Sequence, residues 1–225
     1  MSRKWIAMLF GMLGVMAWGQ TTASSGTTFP RFTLAKGQQE SGDGAPTSGA
    51  KLCIVGRQNL CYQMQPEASS GSSKVIYEFG LEPRSERLPL ADGGSWVFFS
   101  AMFSAGGSGT LERLAVLRYS DSGRIINLLP FIGVSNLSDR AMWTVPGAST
   151  YPILAAADFI WSDGEVHFSP HYFTVQAWRF DQKSDQYVRA FSYQTTKKYD
   201  CDPVVRVLGP ERQEILRRLM TDREK

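Results

Sequence analysis

Histidine is scarce in this chain, with only His167 and His171, and the strong signatures of catalysis and cofactor binding are missing. Gly106-Gly107-Ser108-Gly109-Thr110 fails the nucleophile-elbow pattern at its last position. There is no Gly-rich phosphate loop ending in Gly-Lys-Ser/Thr and no paired Cys-x-x-Cys. The histidines are spaced as in a helical zinc motif, but residue 168 is Phe where that motif has Glu, and Pro170 lies between them. Proline inside a helix costs about 3 kcal/mol, which excludes the helical version. Charge of one sign is also lacking. The net charge is +3, and Arg3 and Lys4 belong to a segment expected to be removed. Nucleic acid is therefore not an expected partner.

Long apolar runs are absent too. The longest, Trp5–Trp18, is shorter than the roughly 20 residues of a membrane span. It follows Arg3-Lys4 and precedes the small-residue site Ala17-Trp18-Gly19, which is the order of a secretory signal. The expectation is a signal peptide over 1–19, cut before Gln20, and a secreted or periplasmic protein with no integral span afterwards. Residues 20–50 are rich in Thr, Ser and Gly and read as a flexible polar segment in which only Phe29–Ala35 suits a strand. Residues 51–225 then form a single β-rich domain.

In an exported chain, three cysteines imply one bridge and one leftover thiol. Cys53 and Cys61 flank the turn-like Gly56-Arg57-Gln58-Asn59. A hairpin of Lys51–Val55 with Leu60–Met64, closed by a three-residue loop, would put them opposite each other. Cys53–Cys61 is the expected disulfide; the alternative gives Cys201 to one of them.

Strands dominate what is present. Lys74–Phe79 alternates apolar and polar residues. Leu81–Gly94, with Pro83 and Pro89, reads as a connection. Trp96–Ala105 is a continuous apolar run, followed by strands Leu114–Tyr119 and Arg124–Leu129. The order recurs in Pro152–Trp161, Tyr172–Phe180 and Gln186–Thr195. Leu114-Ala115-Val116-Leu117-Arg118-Tyr119 superimposes on Val175-Gln176-Ala177-Trp178-Arg179-Phe180, both closing on apolar, Arg, aromatic. The fold expected is all-β and mainly antiparallel: two meander-like three-stranded units forming a sandwich or partial propeller-like stack. Ser135–Ser149 between them reads as a loop or short edge strand. Pro210, early Glu211 and Glu214, and late Arg217 and Arg218 predict one C-terminal helix, 210–220. Its apolar stripe is Ile215, Leu216, Leu219 and Met220.

The candidate site lies in Ala157–Tyr172, which holds both histidines with Asp158, Asp163 and Glu165. Asp158 sits amid Ala155, Ala156, Ala157, Phe159 and Ile160, where a carboxylate needs a partner. Arg118, Arg140, Arg179 or a histidine would serve. Glu165 and His167, two apart on a strand, would project side by side. His171 joins them only if Ser169-Pro170 bends the chain back, because a straight strand would put His167 and His171 about 13 Å apart. Trp96, Trp143, Trp161, Trp178 and Tyr172 read as core, or else as an aromatic platform. Lys197-Lys198 reads as a solvated edge.

These features favour a binding or interaction module of unknown ligand over an enzyme. Asp158, Trp161, Glu165, His167 and His171 are the candidate ligand contacts. An envelope or extracellular protein, peptide or glycan is the candidate partner. No cofactor is expected. The alternative is a metal-dependent hydrolase or metal-binding protein that uses Asp158 and holds a divalent metal on Glu165, His167 and His171.

Overall fold

The computed structural model describes residues 29–38, 48–65, 79–104, 110–120, 123–130, 132–135, 138–146, 149–201 and 204–221. The expected signal peptide over 1–19, most of the polar segment, most of the strand expected at Lys74–Phe79, and Gly106–Gly109 lie outside the described residues. The architecture is mostly antiparallel β: three sheets and one C-terminal helix, in a sandwich-like arrangement.

The first sheet, in the order β1-β2-β3, comprises β1 (Phe32–Ala35), β2 (Lys51–Ile54) and β3 (Arg57–Gln63). Cys53 faces Cys61 across β2 and β3, and the two form the expected disulfide. The loop is shorter than expected. Ile54 pairs with Arg57, leaving a two-residue turn of Val55 and Gly56, and the register shift falls within β3. Gly56 has φ +80°, which a residue without Cβ adopts freely. Cys201 stays a buried free thiol.

The second sheet runs in the order β4 (Leu81–Pro89), β5 (Ser95–Ser104), β6 (Thr110–Tyr119), β7 (Ile125–Asn127), with β8 (Ile132–Ser135) also pairing β6. Leu81–Pro89 is thus a strand and not the connection that its prolines suggested. It lies on the edge, where a missing N–H costs no ladder bond. The register shift between Leu81 and Arg84 accommodates Pro83, with Glu82 at φ +42°.

The third sheet has the order β12-β11-β10-β9, from β9 (Ser138–Trp143), β10 (Ile153–Ile160), β11 (Tyr172–Asp181) and β12 (Gln186–Gln194). Ser135–Ser149 therefore does supply an edge strand, β9. Both units expected to be three-stranded, β5-β6-β7 and β10-β11-β12, are antiparallel meanders, the first extended by β4 and β8 and the second by β9. β6 and β11, whose sequences superimpose, are the central strands of the two units.

Three apolar clusters fix how the layers stack. Val97, Phe99, Ala101, Phe103, Ala115 and Leu117 of the second sheet pack on Leu52 of the first and on Met64, just past the end of β3. Trp96, Leu114 and Val116, from the opposite face, meet Leu154, Ala156, Trp178 and Tyr187 of the third. Ile153, Ala155, Ala157, Phe173 and Val175 cover the far side of that sheet with Val207, Leu208 and the helix residues Ile215 and Leu219. β5, β6 and β10 are buried on both faces, and that is why they read as unbroken apolar runs rather than alternating ones.

The helix α1 (Arg212–Thr221) begins two residues later than the sequence suggested, since Gly209, Pro210 and Glu211 form the turn before it. Of the expected stripe, Ile215 and Leu219 are buried, Leu216 is partly buried and Met220 is exposed. Glu214 pairs with Arg217 and Arg218. Asp139 of β9 accepts the amides of Val207 and Leu208 at 2.8 Å, tying the approach to the helix to the sheet edge.

A native sample should show no fast-reacting thiol, because Cys201 is buried, and one thiol per chain after denaturation without reductant. Replacing Cys53 and Cys61 together with Ser should lower stability by about 2–3 kcal/mol, read from the urea midpoint, since the bridge closes a short loop.

Candidate functional site

β10 and β11 are joined by residues 161–171, which fold into two successive turns. Glu165 donates its amide to the Ser162 carbonyl at 3.2 Å, and Ser169 donates to the Val166 carbonyl at 2.8 Å. Gly164, at φ +78°, closes the first turn. Ser169 Oγ accepts the Val166 amide at 3.0 Å and closes the second. The chain does bend back at Ser169-Pro170. His171 then pairs with Tyr199 through two backbone bonds of 3.0 and 2.8 Å.

Glu165 and His167 consequently lie in turns and not side by side on a strand, because β10 ends at Ile160. The partner of Glu165 is His171: Oε2 lies 2.7 Å from Nδ1 of a fully buried imidazole. The same Oε2 accepts the Ser162 amide at 3.1 Å, and Oε1 accepts Lys198 Nζ at 2.7 Å. One carboxylate, 8% exposed, thus ties together three separate points of the chain. Lys198, read as a solvated edge residue, is one of them. The Lys198 ammonium first, then the bonds from His171 and Ser162, hold the Glu165 carboxyl down from its ordinary value to about 2. His171 Nε2 faces the His167 carbonyl at 3.3 Å. Both ring nitrogens therefore face oxygen atoms.

Around this bond network sits an aromatic group. The rings of Trp161 and His171 stack with centroids 5.7 Å apart, Phe159 lies 5.1 Å from His171, and Phe168 lies 5.0 Å edge-on to His167. Its outer members are open to solvent, Trp161 at 56% and Phe168 at 68%, and so is the neighbouring Val166, at 67%. Trp96 and Trp178, by contrast, are buried in the inter-sheet core, as their reading as core required.

Asp158 is held differently from expectation. Arg118 forms a bidentate pair with Asp185 (2.6 and 2.5 Å), and Arg140 pairs with Glu112. The Asp158 carboxylate instead accepts the amide and hydroxyl of Ser135 and the amide of Phe159. Burial pushes its carboxyl above the ordinary range, against the pull of those bonds. It lines an open cleft of about 490 Å³ with Thr174, Gln176, Trp178 and Arg189. Thr174 and Gln176 carry no motif that marks them in the sequence. The usable signal was their position on the Trp178 side of the β11 alternation, polar groups on a face otherwise apolar.

The arrangement brings Glu165 and His171 together and leaves Asp158 in a separate setting. Among the described residues no group of three or more His, Cys, Asp and Glu side chains is placed to hold a metal ion. No helix among them is long and apolar enough to cross a membrane. No protein-family model matches the chain, and no curated protein and no solved structure matches it.

A group whose folded pKa is depressed contributes stability above its unfolded value and loses it as pH falls through the folded one. Glu165→Gln should therefore lower Tm at pH 7. The gap from wild type should close as pH drops from 4.5 towards about 2, followed by calorimetry across that range.

Proposed function

We propose that this chain is an exported, β-rich binding module that meets a macromolecular partner with the loop between β10 and β11. The observation that supports this most is the pairing of an internally braced loop with an apolar outer surface. Trp161, Val166 and Phe168 face water, while Glu165, His171 and Lys198 hold the backbone beneath them. A loop already fixed in place loses less conformational entropy on binding. Exposed Trp and Phe are the side chains that supply most contact energy once desolvated. In this reading Trp161 and His167 meet the partner, Glu165 and His171 position the loop, and Asp158 serves the neighbouring cleft. Export is supported by the order of charge, apolar run and small residues at Arg3–Gly19. The Cys53–Cys61 disulfide is compatible with an extracellular or periplasmic setting.

The test immobilises three proteins: wild type, Trp161→Ala with Phe168→Ala, and a control with Val204→Ala and Met220→Ala, exposed apolar residues elsewhere. Each is challenged with cell-envelope fractions. The same partner should be retained by wild type and control, and at least tenfold less by the loop variant. Equal retention by all three, or none by wild type, contradicts the reading.

A further inference from the structure

The cleft beside Asp158 has two unlike walls. One is β8 with the preceding Pro130; the other is the face of β11 and β12 that carries Thr174, Gln176, Trp178 and Arg189. Each end is closed by a hydrogen bond between distant parts of the chain. At one end Ser135 donates its amide to Asp158 Oδ1 at 3.3 Å. At the other, Tyr187 donates its amide to the Leu128 carbonyl at 2.7 Å.

The Ser135 bond also sets the phase of the β8 edge. Ser135 stands opposite Leu111 in the ladder with β6, yet it sends its N–H to β10. Its pair is therefore a non-hydrogen-bonded one. In an antiparallel ladder such pairs alternate, so Gly133, opposite Arg113, also turns its N–H and C=O away from β6. Those groups face the cleft. Gly133 is exposed and has no side chain to keep another backbone at a distance. The cleft thus contains a strand edge with a free donor and a free acceptor.

The facing wall carries unused polar groups. Among the described residues, the side chains of Thr174, Gln176 and Arg189 make no hydrogen bond or ion pair. Asp158 Oδ2 has one long contact, 3.4 Å from the Ser135 amide, and keeps room to accept another N–H. The aromatic residues present no open ring face: Trp178 is 6% exposed and Tyr187 2%, and the Tyr187 hydroxyl is used on the Pro152 carbonyl. That disfavours a sugar, which stacks on an exposed ring, and favours a ligand with its own alternating N–H and C=O groups.

We propose that this cleft binds a short extended peptide as an added strand on Gly133, with a peptide carboxylate on Arg189 and a peptide N–H on Asp158. From Ile132 to Ser135 the edge extends about 10 Å at 3.3 Å per residue, so the central three or four residues of a pentapeptide can lie along it. Backbone pairing supplies affinity, Gln176 and Thr174 meet alternate side chains, and the Arg189 fork sets polarity along the groove. No residue of the β10–β11 loop lines the cleft, and the site stands or falls without it.

The experiment titrates the full chain with acetylated pentapeptides of alternating valine and threonine that end in a free carboxylate, followed by amide shifts in NMR. Binding in the micromolar range should move the Gly133 amide and the Gln176 side-chain amide. Amidating the carboxylate should weaken binding about tenfold, as for one charge-assisted bond. N-methylating the residue that pairs with Gly133 should remove binding. Arg189→Ala, an exposed position, should abolish the preference for the free carboxylate, and Trp161→Ala should change nothing. The proposal is overturned if no pentapeptide binds, if N-methylated and parent peptides bind alike, if Arg189→Ala keeps the carboxylate preference, or if a glycan panel shifts Gly133 and the peptides do not.

Discussion

Everything in this structure depends on β10 being buried on both faces at once. Leu154 and Ala156 meet the second sheet, while Ile153, Ala155 and Ala157 meet the helix and the segment before it. Small side chains let three layers approach one strand, and the larger residues around it fill what the alanines leave. Each fully buried large apolar side chain, such as Leu154 or Phe173, contributes about 1.5–3 kcal/mol. An interior packed to crystal-like density tolerates added volume badly. The triple alanine is therefore a constraint on the fold rather than an indifferent stretch.

That constraint also explains where the polar chemistry lies. β10 carries no ionisable group until its fully buried stretch ends, at Asp158. From there the chain can no longer be satisfied by core packing, and side-chain bonds take over. Asp158 reaches β8, and Glu165 gathers Ser162, His171 and Lys198. The cleft and the exposed loop are two results of one event, the strand leaving the shared core. At the cleft the two sheets diverge enough to leave polar groups unused. At the loop the half-buried Glu165 carboxylate keeps the backbone ordered while apolar side chains turn outward.

Much of the fold was legible in the sequence, because two-sided burial writes continuous apolar runs and hairpin chemistry writes its turn residues. Trp96–Ala105, Pro152–Trp161 and the Cys53–Cys61 pair are the clearest cases. The Leu81–Pro89 strand was not legible, because an edge strand tolerates the prolines that usually deny one. Within the candidate site, the bend at Ser169-Pro170 that brings His171 back was legible, but the pairing was not: spacing set Glu165 beside His167, whereas the turns set it against His171. The hold of Lys198 on Glu165 was not legible either, since Lys198 stands on the far side of two intervening strands. Nor was the choice of Ser135 over an arginine for Asp158. Sequence spacing shows which groups need partners, but the crossing of separate sheets decides which partner arrives.

One half-buried carboxylate, that of Glu165, holds the β10–β11 loop as a preformed surface. Hydrogen exchange measured by mass spectrometry on wild type and Glu165→Gln tests it most directly. The amides of Glu165, Val166 and Ser169 should be protected in wild type. In the variant they should exchange quickly, while β10 and β11 keep their protection. Equal exchange of that loop in both proteins would contradict it.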